Sequence, residues 1–145
     1  MNERLHEGHQ APRRIDHDLV RQPAAIQAKV VWIVDAEHDV CVLRGSISGD
    51  VIQLANWDPV IGERVWTAGY PRGTFLISDG FWAGRNEEGQ GVSSSVAGFG
   101  ASGSPIMDVS GRTVGVLVAR YKDMDNLTFI TPVEWVRAAL IRAHE

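Results

Sequence analysis

Short apolar runs alternate with glycine-, aspartate- and serine-bearing turns along most of this chain, a spacing that predicts an all-β barrel or sandwich. β-Branched residues dominate Ala28-Lys29-Val30-Val31-Trp32-Ile33-Val34 and Val40-Cys41-Val42-Leu43, and the turn Asp35-Ala36-Glu37-His38 lies between them, so the pattern spells a hairpin. Further strands are predicted over 51–54, 64–68, 75–78, 81–83, 92–96, 106–107, 114–119 and 128–130. Gly73, Gly80, Gly84, Gly89 and Gly111 are the expected turn residues between them. Cys41, in mid-strand, reads as a small core residue. Residues 1–25 are polar, without a sustained period, and read as an arm.

One helix is signalled. Thr131 at the N-cap, Pro132 at the first helical position and Glu134 three residues after the cap make a capping box. Val133, Val136 and Leu140 then share one face, which is expected to dock on the barrel.

A chain of 145 residues that is 44% hydrophobic and 22% charged is long enough for one soluble domain with a core of its own. A net charge of -4, with no basic stripe interleaved with aromatics, argues against a nucleic-acid partner. The single Cys41 cannot form an internal disulfide. No cationic start leads into an apolar run, so neither a signal peptide nor a membrane partner is expected. Read from this start, the product would be cytoplasmic or virion-associated.

No cofactor or metal is expected. His6-Glu7-Gly8-His9 is one residue short of the spacing that sets two imidazoles on one helix face, and Gly8 disfavours a helix there.

The stretch richest in chemistry is Gly100-Ala101-Ser102-Gly103-Ser104-Pro105, which sets a hydroxyl inside a glycine-lined turn leading into an apolar strand. Glycines on both sides let a substrate carbonyl approach Ser102 closely. They also leave the N–H groups of Gly100 and Ser102 free to meet a developing oxyanion. It is not the Gly-x-Ser-x-Gly elbow of α/β-hydrolases, because its fifth residue is Ser104 and no βαβ alternation surrounds it.

Gly100 to Pro105, then Ile106-Met107-Asp108, the turn Val109-Ser110-Gly111-Arg112 and the strand Thr113 to Val118, resemble the nucleophile segment of the trypsin-like (chymotrypsin-fold) serine proteases. Ser104 replaces that family's second glycine. Gly62-Glu63-Arg64-Val65-Trp66-Thr67-Ala68-Gly69-Tyr70-Pro71-Arg72-Gly73 resembles a strand and turn of the bacterial HtrA-type branch. Leu127-Thr128-Phe129-Ile130-Thr131-Pro132-Val133-Glu134 is similar to its last strand and C-terminal helix.

The resemblance implies a double β-barrel closed by a C-terminal helix, in one domain over 1–145. Within it, 26–60 would form a partial N-terminal barrel, 61–130 mainly the C-terminal barrel, and 131–144 the helix. The N-terminal barrel is expected to be incomplete or closed by a partner, and open strand edges of that kind favour self-association.

For the site, the resemblance implies Ser102 as nucleophile and Asp39 as the carboxylate that orients the base. His38-Asp39-Val40-Cys41-Val42-Leu43 is similar to the family's Asp-x-Ala-Leu-Leu segment, and Asp35 is the competitor. The family's base precedes that carboxylate. By position His6 is the candidate, although no Ala-His strand precedes it; His17 lies between Asp16 and Asp18, which reads as a solvated turn. Val96, six residues before Ser102, would floor the primary pocket and favour apolar side chains. The strand Leu117-Val118-Ala119 would offer backbone groups to an extended polypeptide.

Two functions remain open: a serine endopeptidase acting through an acyl-enzyme, and an inactive or truncated module that keeps only the peptide cleft.

Overall fold

The computed structural model of the chain describes residues 30–46, 48–95, 98, 100–121 and 123–145, with side chains for all of these except 30–34, 119–121 and 125. The arm 1–25, Ala28, Lys29, His6, His17 and Val96 lie outside the described residues.

Strands β1 (Val30–Asp35) and β2 (Val40–Arg44) form the expected hairpin, with Asp35 opposite Val40 at the turn. Next come β3 (Arg64–Gly69), β4 (Leu76–Arg85), β5 (Gly91–Ser93), β6 (Pro105–Met107), β7 (Thr113–Tyr121) and β8 (Met124–Pro132). These six close a barrel in the order β3-β4-β5-β8-β7-β6. Helix α1 (Val133–His144) follows β8 directly.

Period-two alternation drives the barrel. On β3, Val65 and Thr67 turn inward while Arg64 and Trp66 face out; on β4, Gly80, Trp82 and Gly84 are the inward set. Trp82, Val65, Ile106, Val114, Leu117 and Ile130 meet inside as one core. A second, polar layer lies beside it, where the Ser93 hydroxyl is 2.6 Å from that of Ser95 and 3.0 Å from that of Thr128.

Four expectations require correction. Gly80 and Gly84 do not end strands: residues 76–78 and 81–83 belong to the single ten-residue β4, and Phe75 lies just before it. The reason at Gly80 is space, since a Cβ there would come within 2.7 Å of the Ser95 Cα. The apolar run 51–54 is not a strand; only Leu54 makes a bridge, to Thr113, and Val51 is exposed. Cys41 is exposed instead of buried: among the described residues its hairpin has two strands only, and Cys41 borders the open cleft between hairpin and barrel. The capping box does not form either. The β7–β8 ladder runs through Thr131 and Pro132, which makes Pro132 the cap, with no side chain to accept a bond.

Helix α1 touches β1 and β2 on one side and β7 and β8 on the other, so it joins hairpin to barrel. The connector between hairpin and barrel is tied down by arginines. Arg85 binds both oxygens of Asp58, at 2.7 and 2.8 Å, the Gly89 carbonyl at 3.2 Å, and Glu134. Arg137 donates to the Ala55 carbonyl at 2.6 Å.

Candidate active site

The turn that carries Ser102 is held from both sides. Within it, the Ala101 N–H donates to the Gly98 carbonyl and the Ser104 N–H to the Ala101 carbonyl, each at 3.0 Å. Toward β7, the Gly103 N–H donates to the Leu117 carbonyl at 2.8 Å and the Leu117 N–H to the Ser104 carbonyl at 2.9 Å. Ala101 points into the core and Ser102 out of it, so a buried methyl anchors the turn next to an exposed hydroxyl.

Gly100 has a positive φ of 88°, and a Cβ on it would lie 3.2 Å from the Tyr70 carbonyl oxygen, so the position suits glycine on both counts. Among the described residues, no backbone carbonyl takes the N–H of Gly100 or of Ser102.

The Ser102 hydroxyl donates to the Val118 carbonyl at 2.7 Å. That carbonyl is available because the β7–β8 register slips between Leu117 and Ala119, which leaves Val118 outside the ladder. Leu117 is used differently: its side chain is in the core and its N–H and carbonyl both hold the serine turn. Ala119 pairs with Phe129 across the ladder.

A cleft of about 590 Å³ lies beside the turn. Ser102 and Gly103 form one wall with Val116, Leu117 and Val118; Asp39 and Val40 to Leu43 form another; Val136 and Leu140 of α1 close it. Ser102 and Asp39, distant in sequence, thus share one cleft. Asp39 stands at the hairpin turn, exposed, in the left-handed region at φ 53°.

Asp35 is occupied elsewhere. It accepts the His38 N–H at 3.1 Å, faces the His38 Nδ1 at 3.0 Å and pairs with Arg142. The bond from the His38 ring, and then that from Arg142, hold its carboxyl well below the usual carboxylate range. The structure therefore separates the two aspartates: Asp39 lines the cleft and Asp35 ties the hairpin turn to α1. Among the described residues no histidine lines the cleft, and His38 packs on Trp135 with ring centroids 4.3 Å apart. Among the described residues no group of three or more metal-ligating side chains converges.

Residues 5–116 match the trypsin-like peptidase domain family, a span that takes in the hairpin, the serine turn and most of the barrel. The chain belongs to that family. No curated protein matches the sequence.

Among solved structures, this trypsin-like domain superposes on the active form of the Rv3671c protease from M. tuberculosis with a TM-score of 0.71 at 22% identity, covering 81% of this chain and 59% of that one. An inactive form of the same protease gives 0.68 at 20% identity, covering 80% and 67%. The serine endoprotease from Yersinia pestis gives 0.73 at 18% identity, covering 81% and 44%. At such identities the likeness establishes the fold: a closed trypsin-like barrel followed by a C-terminal helix. The chain spans 59% of the active M. tuberculosis protease structure and 44% of the Yersinia one.

Val136 and Leu140 were legible as one helix face, but not as a wall of the cleft. The Val118 backbone was expected to meet a polypeptide, but that its carbonyl accepts from Ser102 carried no sequence signal, because a ladder slip depends on the partner strand.

Proposed function

We propose that this chain is a serine endopeptidase domain whose nucleophile is Ser102. The observation that carries the reading is the shared cleft, with an exposed Ser102 hydroxyl on one wall and Asp39 on another. The Ser102 oxygen adds to the scissile carbonyl of a polypeptide while a base takes its proton. The carbonyl oxygen, now negative, is met by the N–H groups of Gly100 and Ser102. The tetrahedral adduct expels the amine, which receives the proton from the base, and water then releases the acyl group by the same steps in reverse. Asp39 orients the base and stabilises its cation. His6 is the residue assigned as base, and Val96 as the floor of an apolar primary pocket.

For attack, the bond from Ser102 to the Val118 carbonyl must be exchanged for one to the base. That same bond favours a second reading, a module that binds peptides without cleaving them.

A fluorophosphonate probe separates the two readings. The endopeptidase reading expects labelling at Ser102, abolished by Ser102→Ala, with turnover lowered by up to about 10⁴-fold in Asp39→Asn, the size seen when an orienting carboxylate is neutralised. His6→Ala should be as damaging as Ser102→Ala, since triad members act as a unit. Binding of an apolar peptide without labelling identifies the module instead.

A further inference from the structure

We infer that Thr131 and the Asp35–His38–Arg142 cluster act as a positioning latch that sets the direction in which Asp39 presents its carboxylate to the cleft. This rests on the reading of Asp39 as the orienting carboxylate. A non-glycine residue at φ 53° is uncommon, even for aspartate, and persists where its surroundings hold it.

The surroundings converge on His38, the residue just before it. Thr131, buried at the end of β8, donates its hydroxyl to the His38 carbonyl at 2.8 Å, and so fixes the plane of the peptide that joins His38 to Asp39. The carboxylate of Asp35 holds the same residue by its N–H and by its ring. Arg142, on the last turn of α1, holds that carboxylate, and Trp135 supports the imidazole one face away.

Three elements of the molecule, β1, β8 and α1, therefore grip one residue from different directions, while its successor is left exposed and lining the cleft. A surface turn under no such demand has its polar groups met by water. Here a buried hydroxyl that would ordinarily cap the helix reaches across to the hairpin instead. Thr131, His38 and Arg142 touch no reacting atom in this account. Their role is positional.

The test is carried out on the full chain by NMR and by probe labelling. A left-handed residue shows a strong contact between its own amide and α protons, and wild-type Asp39 should show it. Thr131→Val, which keeps shape and removes the hydroxyl, should lose that signature, and Thr131→Ser should retain it. Arg142→Gln, at an exposed position, provides a second variant should Thr131→Val fail to fold, and should weaken the signature as well.

With wild type labelled at Ser102, Thr131→Val should slow labelling on the order of ten- to a hundred-fold, the effect of a small misplacement in an active site, and Thr131→Ser should not. An unchanged Asp39 signature in the folded variants overturns the latch, as does a lost signature with undiminished labelling. A wild type that is never labelled defeats the endopeptidase reading alone, and the backbone signature then decides the latch by itself.

Discussion

Ser104 fits into the serine turn because the residue facing it has no side chain. A Cβ on Gly69 would overlap the Ser104 hydroxyl, so the hydroxymethyl group of one fills the space left by the other. Gly69→Ala is expected to cost about 1–3 kcal/mol as an overpacked site, with most of that recovered in Gly69→Ala combined with Ser104→Gly. Urea titration of wild type and the two variants measures this. A double variant no more stable than Gly69→Ala would show that the two residues are not packing partners. At the same scale, Ser102 was singled out by its glycine-lined turn, and Asp39 only by a resemblance that left Asp35 as competitor. Gly69 was not, since its constraint comes from a residue far along the chain.

The hairpin and α1 meet through Asp35, which makes their union sensitive to acid. The folded carboxyl is held below its ordinary value, first by the His38 ring and next by Arg142. Its contribution to stability is therefore complete above the unfolded pKa of about 3.9 and is lost as pH falls through the lower folded value. Wild type should lose more stability than Asp35→Asn as pH falls from about 5 toward 2, because in that range the unfolded carboxyl takes up a proton while the folded one still holds its charge. Denaturant midpoints across that range provide the check, and parallel curves for the two proteins would remove Asp35 from the account. The helix itself was legible from its apolar period, and its start was displaced by one residue. A strand ladder outcompeted the capping box, because Thr131 is satisfied by the His38 carbonyl and Glu134 by Arg85.

For the whole molecule, a closed barrel and a two-stranded hairpin are unequal partners. Among the described residues, the barrel has no open edge and contains the core, whereas the two-stranded hairpin packs on α1, and two strands alone are marginal in water. Hydrogen exchange should find the slowest amides at Ile106, Leu117 and Ile130, and clearly faster exchange in Val40 to Arg44. Equal protection in both regions would mean that hairpin and barrel open as one unit. Because the cleft lies between them, local opening of the hairpin would move Asp39 away from Ser102 without unfolding the barrel.

The amino-acid sequence by itself determined the all-β class, the hairpin, the glycine-lined serine turn and the C-terminal helix. Each of these is encoded in a run of neighbouring residues, where alternation, turn chemistry and helical period act over a few positions. Only the tertiary structure decided that the segments holding Gly80 and Gly84 merge into one strand, that Asp39 and not Asp35 lines the cleft with Ser102, that Val118 offers its carbonyl to the serine, and that Thr131 serves the hairpin instead of the helix. Those outcomes depend on which atoms arrive from distant parts of the chain to fill a space or meet a polar group, and no local pattern carries that information.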